Sequence, residues 1–197
     1  MAYDMKRLLD MAAVQFTKHM EPDNLFSMVL KEAMAITNCD GGTIYMPSKD
    51  GLVFQYLYTK SKYVEMGRES GATSLPPIPM DKSFACAAVA ITQKSLNIKD
   101  VYYAKGFNFQ GTYVWDKANS YRSHSMLIIP MLSCFELIGV MQLINSLDEL
   151  NDQWRPFTPE HERICTYLAS LAAVRIENMK LKGQFDDKKK RNARGLR

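Results

Sequence analysis

The chain has 197 residues, a length that suits one compact domain. Hydrophobic residues make up 47% of it, which excludes wholesale disorder. The net charge of +4 is carried by residues 183–197, which contain six basic residues and two acids. The other residues therefore sum to zero charge, and a neutral body argues against a specific nucleic-acid-binding surface.

The four cysteines, Cys39, Cys86, Cys134 and Cys165, are far apart and show no CxxC spacing. This pattern predicts free thiols in a reducing compartment rather than a zinc site or paired disulfides. No apolar run approaches the roughly 20 residues that a membrane helix needs, and the N-terminus lacks a signal-peptide core. We therefore expect a cytoplasmic location without membrane contact.

Two helices are predicted at the start of the chain. Apolar residues at three- and four-residue spacing indicate one helix over about residues 3–19 and a second that ends near Asn38. Pro22 separates them, because proline disfavours helical backbone at the residue before it. Asp23 can cap the second helix.

A β-hairpin is predicted next, with strands over residues 43–46 and 52–58 joined by an Asp-Gly turn. Residues 60–80 are polar and then rich in proline, which predicts a loop. Residues 83–92 predict a short helix whose alanines allow close packing on a sheet. Residues 95–98 predict a short strand.

An aromatic, glycine-containing segment over residues 99–120 is too long for a simple connector, and such loops are often functional. Apolar strands follow over residues 126–132 and 137–145, where Gly139 indicates the close approach of another backbone. Thr158 is the predicted N-cap of a last helix that runs to about Lys182.

This order predicts an α+β domain over residues 1–182, followed by a basic tail or linker over residues 183–197. Its centre is an antiparallel sheet of about five or six strands, with the N- and C-terminal helices on one face. The short helix and a lid, defined here as residues 99–123, cover the other face. A sheet covered in this way encloses a pocket between its layers.

Five local strings, in their order and spacing, resemble the GAF domain family, especially the domains of cyclic-nucleotide phosphodiesterases and of bacterial cyclic-di-nucleotide signalling proteins. The strings are SLNIKDVY (95–102), YRSHSML (121–127), GVMQLIN (139–145), FTPE (157–160) and IEN (176–178). The resemblance covers about residues 5–182. It implies a non-catalytic regulatory module that binds a small ligand and is often dimeric.

The resemblance also implies ligand contacts at matching positions. Ile98 and Lys99 would act through backbone groups, Asn119 and Ser123 would hydrogen-bond a phosphate or sugar, and Gln142 would face the pocket from a strand. The remaining two contacts implied in this way are Thr43 and Tyr58.

Two further features of the lid have alternative interpretations. Arg122 could clamp an anionic ligand or pair with Asp116 at the surface. The lid aromatics could form a small core of their own or a stacking wall for a flat ligand. These aromatics are Tyr102, Tyr103, Phe107, Phe109, Tyr113 and Trp115.

The chain departs from the nucleotide-binding members that it resembles. In those members an Asn is followed by a Lys, and that Lys forms an ion pair with an acid later in the chain. Here Ser146 follows Asn145, and His161 occupies the position of the acid. Tyr58 occupies the position at which a carboxylate hydrogen-bonds guanine in those members, and a phenol cannot accept the same pair of hydrogen bonds. A nucleotide-like ligand stays open, and the sequence does not name the ligand or a cofactor.

Patterns typical of enzymes are missing from the sequence, which contains no GxGxxG, P-loop or HExxH motif. His124 lies between Ser123 and Ser125, where adjacent side chains point to opposite faces of a strand. We therefore expect no catalytic residue and no metal site. A GAF-like sulfoxide reductase, which would need clustered cysteines, is kept as an alternative.

A signalling mechanism follows from this arrangement. Ligand binding is expected to close the lid and shift the last strands, and the final helix would transmit the change to an output domain beyond the C-terminus. Apolar stripes on the terminal helices predict a parallel homodimer. The other alternative is a ligand-free homodimerisation module whose pocket is filled by its own side chains.

Overall fold

The computed structural model of the chain describes residues 22–67, 75–148 and 150–194. The helix predicted over residues 3–19 lies outside the described residues. The elements are α1 (Pro22–Thr37), β1 (Cys39–Ser48), β2 (Gly51–Thr59), β3 (Val64–Gly67), α2 (Ala85–Thr92), β4 (Leu96–Ile98), α3 (Gln110–Ala118), β5 (Met126–Ser133), β6 (Glu136–Leu147), β7 (Trp154–Arg155) and α4 (Pro159–Arg194).

The described strands form one antiparallel sheet in the order β3-β2-β1-β6-β5-β4, with β7 paired to the end of β6. Strands β1 and β6 are central, and Thr43 lies opposite Gln142 in their ladder. The predicted α+β class is confirmed. The sheet has seven strands rather than five or six. Strand β3 lies in the predicted loop over residues 60–80, and the two-residue β7 lies between the last predicted strand and Thr158.

One face of the sheet packs against α1 and α4. Alternate residues of the strands, such as Ile44 on β1 and Leu143 on β6, point to this side and are fully buried. Leu30 of α1 and Leu168 of α4 meet them there, also fully buried. Burial of such aliphatic side chains stabilises the fold by about 2 kcal/mol each. This layer is the main core of the domain.

The opposite face is covered by α2, α3 and an extended segment over residues 75–79. The segment is held to β2 by two backbone hydrogen bonds between Leu52 and Ile78. Tyr45, Ile128 and Val140 belong to a smaller apolar cluster on this face. The predicted placement of a short helix and a lid on this side is therefore confirmed.

The sequence predicted an irregular lid. In the structure, α3 occupies residues 110–118 of it. Its sequence, QGTYVWDKA, contains glycine, β-branched and aromatic residues with modest helix propensity. Tertiary contacts stabilise α3 instead. Asn108 supports its start by accepting a hydrogen bond from the Gln110 backbone at 3.0 Å.

The last helix begins as predicted and ends later. The Thr158 hydroxyl accepts a hydrogen bond from the His161 backbone at 3.1 Å, which confirms Thr158 as the N-cap. The helix continues beyond Lys182 to Arg194, so the backbone of most of the predicted tail is helical. No helix within the described parts of the chain is long and apolar enough to span a membrane.

Gly139 of β6 is required by a close backbone contact. A Cβ atom at this position would lie 2.7 Å from the Tyr45 carbonyl oxygen on β1, nearer than non-bonded atoms approach. Gly111 of α3 is different, since a Cβ there meets nothing within 4 Å.

We predict that Gly139→Ala lowers the free energy of unfolding by about 2 kcal/mol, because the added methyl group forces β1 and β6 apart. Gly111→Ala is the matched control and should raise it by about 0.5 kcal/mol, since alanine favours helix. Urea denaturation measures both. A Gly139→Ala protein as stable as the parent would contradict the close contact.

Candidate functional site

A cavity of about 580 Å³ lies between the sheet and its covering elements α2, α3 and residues 75–79. Its volume is within the range of small-molecule pockets. Strands β1, β2, β5 and β6 supply its floor, and α3 supplies part of its roof. The cavity therefore occupies the space between layers that the sequence predicted.

The cavity wall is largely apolar and aromatic. Tyr45 and Phe54 contact each other on the floor with ring centroids 4.7 Å apart, and Trp115 of α3 contacts Tyr121 at 5.0 Å. Among the described residues that line the cavity, none carries a charged side chain. Its polar groups are hydroxyls, amides and one thiol.

The polar centre of the floor is formed by Gln142, Cys86 and Tyr45. The Cys86 thiol donates a hydrogen bond to the Gln142 Oε1 atom at 2.7 Å. Burial raises the pKa of the Cys86 thiol to about 12, and burial together with the neighbouring Cys86 raises the pKa of Tyr45 well above its usual value. Both groups are therefore neutral at physiological pH.

A buried carboxylate, Asp116, ties the end of α3 to Tyr102 and to the residues that lead into β5. It is 2% exposed and accepts hydrogen bonds from the Ser123 backbone at 2.8 Å, the Ser123 hydroxyl at 2.9 Å and the Tyr102 hydroxyl at 3.0 Å. Burying a charge is costly unless such donors compensate it. Asp116 therefore fixes the residues that lead from α3 into β5.

A second buried carboxylate, Asp40, acts in the same way at the start of β1. Its Oδ2 atom accepts hydrogen bonds from the Tyr121 and Ser61 hydroxyls, both at 2.7 Å. Burial and the adjacent Asp40 charge raise the pKa of Tyr121, so its hydroxyl stays a donor. Tyr121, which follows α3, is thus tied to the start of β1.

Arg122 does not pair with Asp116, contrary to one of the two interpretations of its sequence. Its guanidinium donates to both oxygens of Asp100 at 3.2 Å and lies 3.6 Å from the centre of the Tyr102 ring. Asp116 is buried, and its described partners are uncharged donors. Arg122 therefore braces the outside of the lid, and it is not among the residues that line the cavity.

The residues that the resemblance implied separate into two groups. Thr43, Ser123 and Gln142 line the cavity. The others do not line it. Tyr58 packs on the helix-covered face, where Lys31 Nζ lies 4.9 Å from its ring centre. The Asn119 side-chain amide donates a hydrogen bond to the Trp115 carbonyl oxygen at 2.9 Å. The backbone of Ile98 pairs with Met126 of β5, and Lys99 is exposed.

The lid aromatics divide similarly. Phe109 and Trp115 line the cavity. Tyr113 of α3 contacts Tyr102 outside the cavity wall, with ring centroids 4.6 Å apart. Tyr103 is 81% exposed. The lid therefore has a small core of its own and also contributes rings to the cavity wall.

The positions that depart from nucleotide-binding members have local structural roles. The Ser146 backbone donates to the Ser125 hydroxyl at 3.1 Å, and its side chain donates to the Thr37 carbonyl oxygen at 2.9 Å. Asn145 accepts from the His124 backbone at 2.6 Å and donates to the Arg122 carbonyl oxygen at 2.7 Å. Asn145 thereby holds the last residues of the lid.

Several functional residues were not identified from sequence, above all Asp40, Asp116 and Cys86. Asp116 is one of two acids, with Asp100, in the aromatic segment over residues 99–120, and its sequence context does not distinguish it from a solvated residue. The cysteines lie on different faces, with Cys39 and Cys165 in the helix-side core and Cys86 in the cavity-side cluster. Burial raises the pKa of each of these thiols, which weakens them as nucleophiles.

A family model described as "GAF domain" matches residues 21–176 of the chain. This range contains all the described strands and the whole cavity wall. No significant match is found among curated protein sequences.

Solved structures with the same fold include three of different context. The GAF domain of a phosphoenolpyruvate-protein phosphotransferase from Coxiella burnetii has a TM-score of 0.65 at 15% identity, covering 93% of this chain and 98% of its own. The GAF-B domain of DevS from Mycobacterium smegmatis has 0.58 at 17% identity, covering 84% and 99%. Free methionine-R-sulfoxide reductase from Neisseria meningitidis has 0.63 at 16% identity, covering 92% of each chain. At these identities the likeness shows the fold alone.

We predict that Asp116→Asn lowers the free energy of unfolding by about 2 kcal/mol, since an amide cannot accept from three donors as a carboxylate does. Asp50→Asn, in an exposed turn, is the matched control and should change it by less than about 0.5 kcal/mol. Urea denaturation at neutral pH measures both. Equal effects of the two substitutions would show that Asp116 does not anchor the lid.

His124 generates a prediction about pH. Burial lowers its pKa, the Arg122 charge lowers it further, and Asp100, 3.7 Å from Nδ1, opposes this. As the pH falls, the unfolded chain therefore takes up a proton at His124 at a higher pH than the folded chain does. The resulting contribution to stability is complete above the unfolded pKa of about 6.5 and is lost as the pH falls through the lower, folded pKa.

We predict that stability falls more steeply from about pH 7.5 to about pH 5 in the parent than in His124→Phe, which keeps a ring to stack on Trp154 but cannot titrate. Urea denaturation at the two pH values gives the comparison. Parallel losses in the two proteins would mean that His124 titrates alike when folded and unfolded.

Proposed function

The chain belongs to the GAF domain family, and we propose that it is a regulatory module that binds a small molecule in its cavity and transmits occupancy through α4. GAF domains are common small-molecule-binding modules of signalling proteins. The observation that carries the proposal is the cavity of about 580 Å³ between the sheet and α3, which has a preformed apolar wall and a few directed polar groups.

The route from the cavity to α4 passes through the sheet. Gln142 faces the cavity, whereas its neighbours Met141 and Leu143 on β6 belong to the core beneath α1 and α4. Because cores are closely packed, a displacement of β6 is felt by the helix that lies on it. The coupling is limited by the difference in ligand affinity between the two states of the domain.

A specific observation favours homodimerisation through α4. The face of α4 opposite the sheet carries Tyr167, Val174 and Leu181, which repeat every seven residues and are 50%, 37% and 56% exposed. Leu171 and Asn178 lie between them at the spacing of a heptad seam. A polar Asn in such a seam fixes register and copy number in coiled coils. We propose a second copy of this chain as the partner, placing the two α4 helices side by side.

The proposal also assigns the chain a non-catalytic role in the cytoplasm, next to an output domain. Two neighbours in fold support a multidomain setting, since they are GAF domains of a phosphotransferase and of DevS. The reductase alternative is less favoured, because Cys39 and Cys86 lie in separate clusters with raised thiol pKa values. Ligand-free dimerisation stays as the second candidate, supported by the α4 seam.

We predict that native mass spectrometry of freshly purified protein, or of protein incubated with a metabolite extract, detects a small molecule that is lost on denaturation. Gly111→Phe/Ala118→Phe should abolish retention of the ligand. Both positions line the cavity, and the two added rings would occupy space that the ligand needs. Lys117→Phe, on the same helix but outside the cavity wall, is the control and should retain it. Identical native and denatured masses in the parent would favour ligand-free dimerisation.

We predict that Val174→Glu/Leu181→Glu converts a dimer to a monomer, since charges in an apolar seam repel each other. Thr166→Glu/Lys180→Glu places acids on exposed positions of α4 beside the seam and is the control, which should stay dimeric. Sedimentation velocity distinguishes the two states. A monomeric parent at micromolar concentrations would refute the seam as an interface.

A further inference from the structure

The charge distribution around the cavity restricts the chemistry of its ligand. The described residues of the wall bring hydroxyls, amides, a neutral thiol and rings, without a cation or an ionised acid among them. A phosphate or carboxylate moved into such a space would lose its hydration without gaining an ionic partner, which costs several kcal/mol.

Two carboxylates behind the wall make an anion still less favourable. Ser123 and Tyr121 line the cavity, and directly behind them lie the carboxylates of Asp116 and Asp40. Both side chains donate their hydroxyl hydrogens to these carboxylates, so those protons are not available to an anionic ligand. The negative charges behind the wall would also repel it.

Arg122, the arginine of the lid, does not relieve this deficit. The Arg122 guanidinium is bound by both oxygens of Asp100 and is stacked on Tyr102 outside the cavity wall. Reaching the cavity would require Arg122 to leave both Asp100 and the Tyr102 ring. The lid therefore keeps Arg122 away from the ligand.

A cationic ligand is also poorly matched. Asp116 and Asp40 are already satisfied by described hydroxyl and backbone donors, and neither is part of the wall. A cation in the cavity would therefore lose water without a direct carboxylate contact.

Gln142 supplies one directed hydrogen bond for a neutral ligand. Its Oε1 atom is occupied by the Cys86 thiol, whereas no described residue accepts a hydrogen bond from its Nε2 amide. The amide therefore presents a donor at the floor, among the rings of Tyr45, Phe54 and Trp115. A carbonyl or ether oxygen on a flat ring system meets both features.

From these observations we propose that the cavity selects an uncharged, flat ring compound with a hydrogen-bond acceptor directed at the Gln142 amide. This inference rests on the proposed function of small-molecule binding and specifies the ligand class. It argues against nucleotides that bind through their phosphate, while an uncharged ring such as a free nucleobase or an aromatic ketone is compatible.

The test uses three naphthalene probes of similar size, measured by isothermal titration with the full chain. They are 2-acetonaphthone, which is neutral with one carbonyl acceptor, the 2-naphthoate anion and the N,N,N-trimethyl-2-naphthylammonium cation. We expect the ketone to bind at one site per chain and the two ions to bind at least about tenfold more weakly, reflecting uncompensated desolvation. Cyclic AMP should give no heat of binding.

Substitutions of Gln142 test whether its amide makes the proposed hydrogen bond to the ketone. Gln142→Leu should weaken ketone binding about threefold to tenfold, the loss of one neutral hydrogen bond. Tyr58→Phe, on the other face of the sheet, is the matched control and should bind like the parent. Circular dichroism checks that Gln142→Leu is folded, and Gln142→Asn, whose shorter amide withdraws the donor while keeping the floor polar, should show a similar loss.

The outcomes separate the two proposals. If an ion binds as tightly as the ketone, or if Gln142→Leu and Gln142→Asn both bind the ketone like the parent, the ligand class is wrong while small-molecule binding stands. If none of the probes binds and native mass spectrometry also finds no retained molecule, the proposed function fails and this inference fails with it.

Discussion

The cavity depends on the burial of one negative charge. Asp116 is almost entirely removed from solvent, and the free energy of that burial is balanced by donors on Ser123 and Tyr102. Tyr102, Asp116 and Ser123 come from three different stretches of the lid, and these hydrogen bonds hold α3 beside the residues that lead into β5. The roof of the cavity is thus positioned by an electrostatic requirement rather than by the helix propensity of α3.

Helix α3 is held at both ends. At its N-terminal end Phe109 is buried, and the Asn108 backbone donates to the Ser83 carbonyl oxygen at 2.6 Å. The C-terminal end of α3 is held by Asp116 and, through Tyr121, by Asp40. Between these ends, Gly111 has open space around it and Val114 is 66% exposed. A ligand in the cavity would contact this supported roof on one side and the floor strands, including β6, on the other.

Much of the architecture could be predicted from the sequence, because long apolar strands and amphipathic helices have strong periodic signals. The sheet faces, the N-cap at Thr158 and the close contact at Gly139 followed from such local rules. Strands β3 and β7 did not, since they have only four and two residues and leave no recognisable alternation. Helix α3 was missed because its stability comes from long-range contacts that no local pattern contains.

The candidate site was less predictable than the fold for a related reason. Thr43 and Gln142 lie on strands whose alternation places them on the cavity face. Tyr58 and Thr59 lie on opposite faces because adjacent residues of a strand alternate, and the bulge between Ile44 and Tyr45 shifts this alternation along β2. Lys99 and Asn119 lie in loops, where side-chain direction depends on turns that the sequence leaves open.

The most direct measurement of the central claim is hydrogen exchange of the backbone amides, by mass spectrometry, with and without saturating 2-acetonaphthone. We predict slower exchange in residues 110–118 when the probe is bound, together with a change in β6 and in the part of α4 that packs on the sheet. Unchanged exchange in residues 110–118 at saturation would contradict it, since the lid would then have no part in holding the ligand.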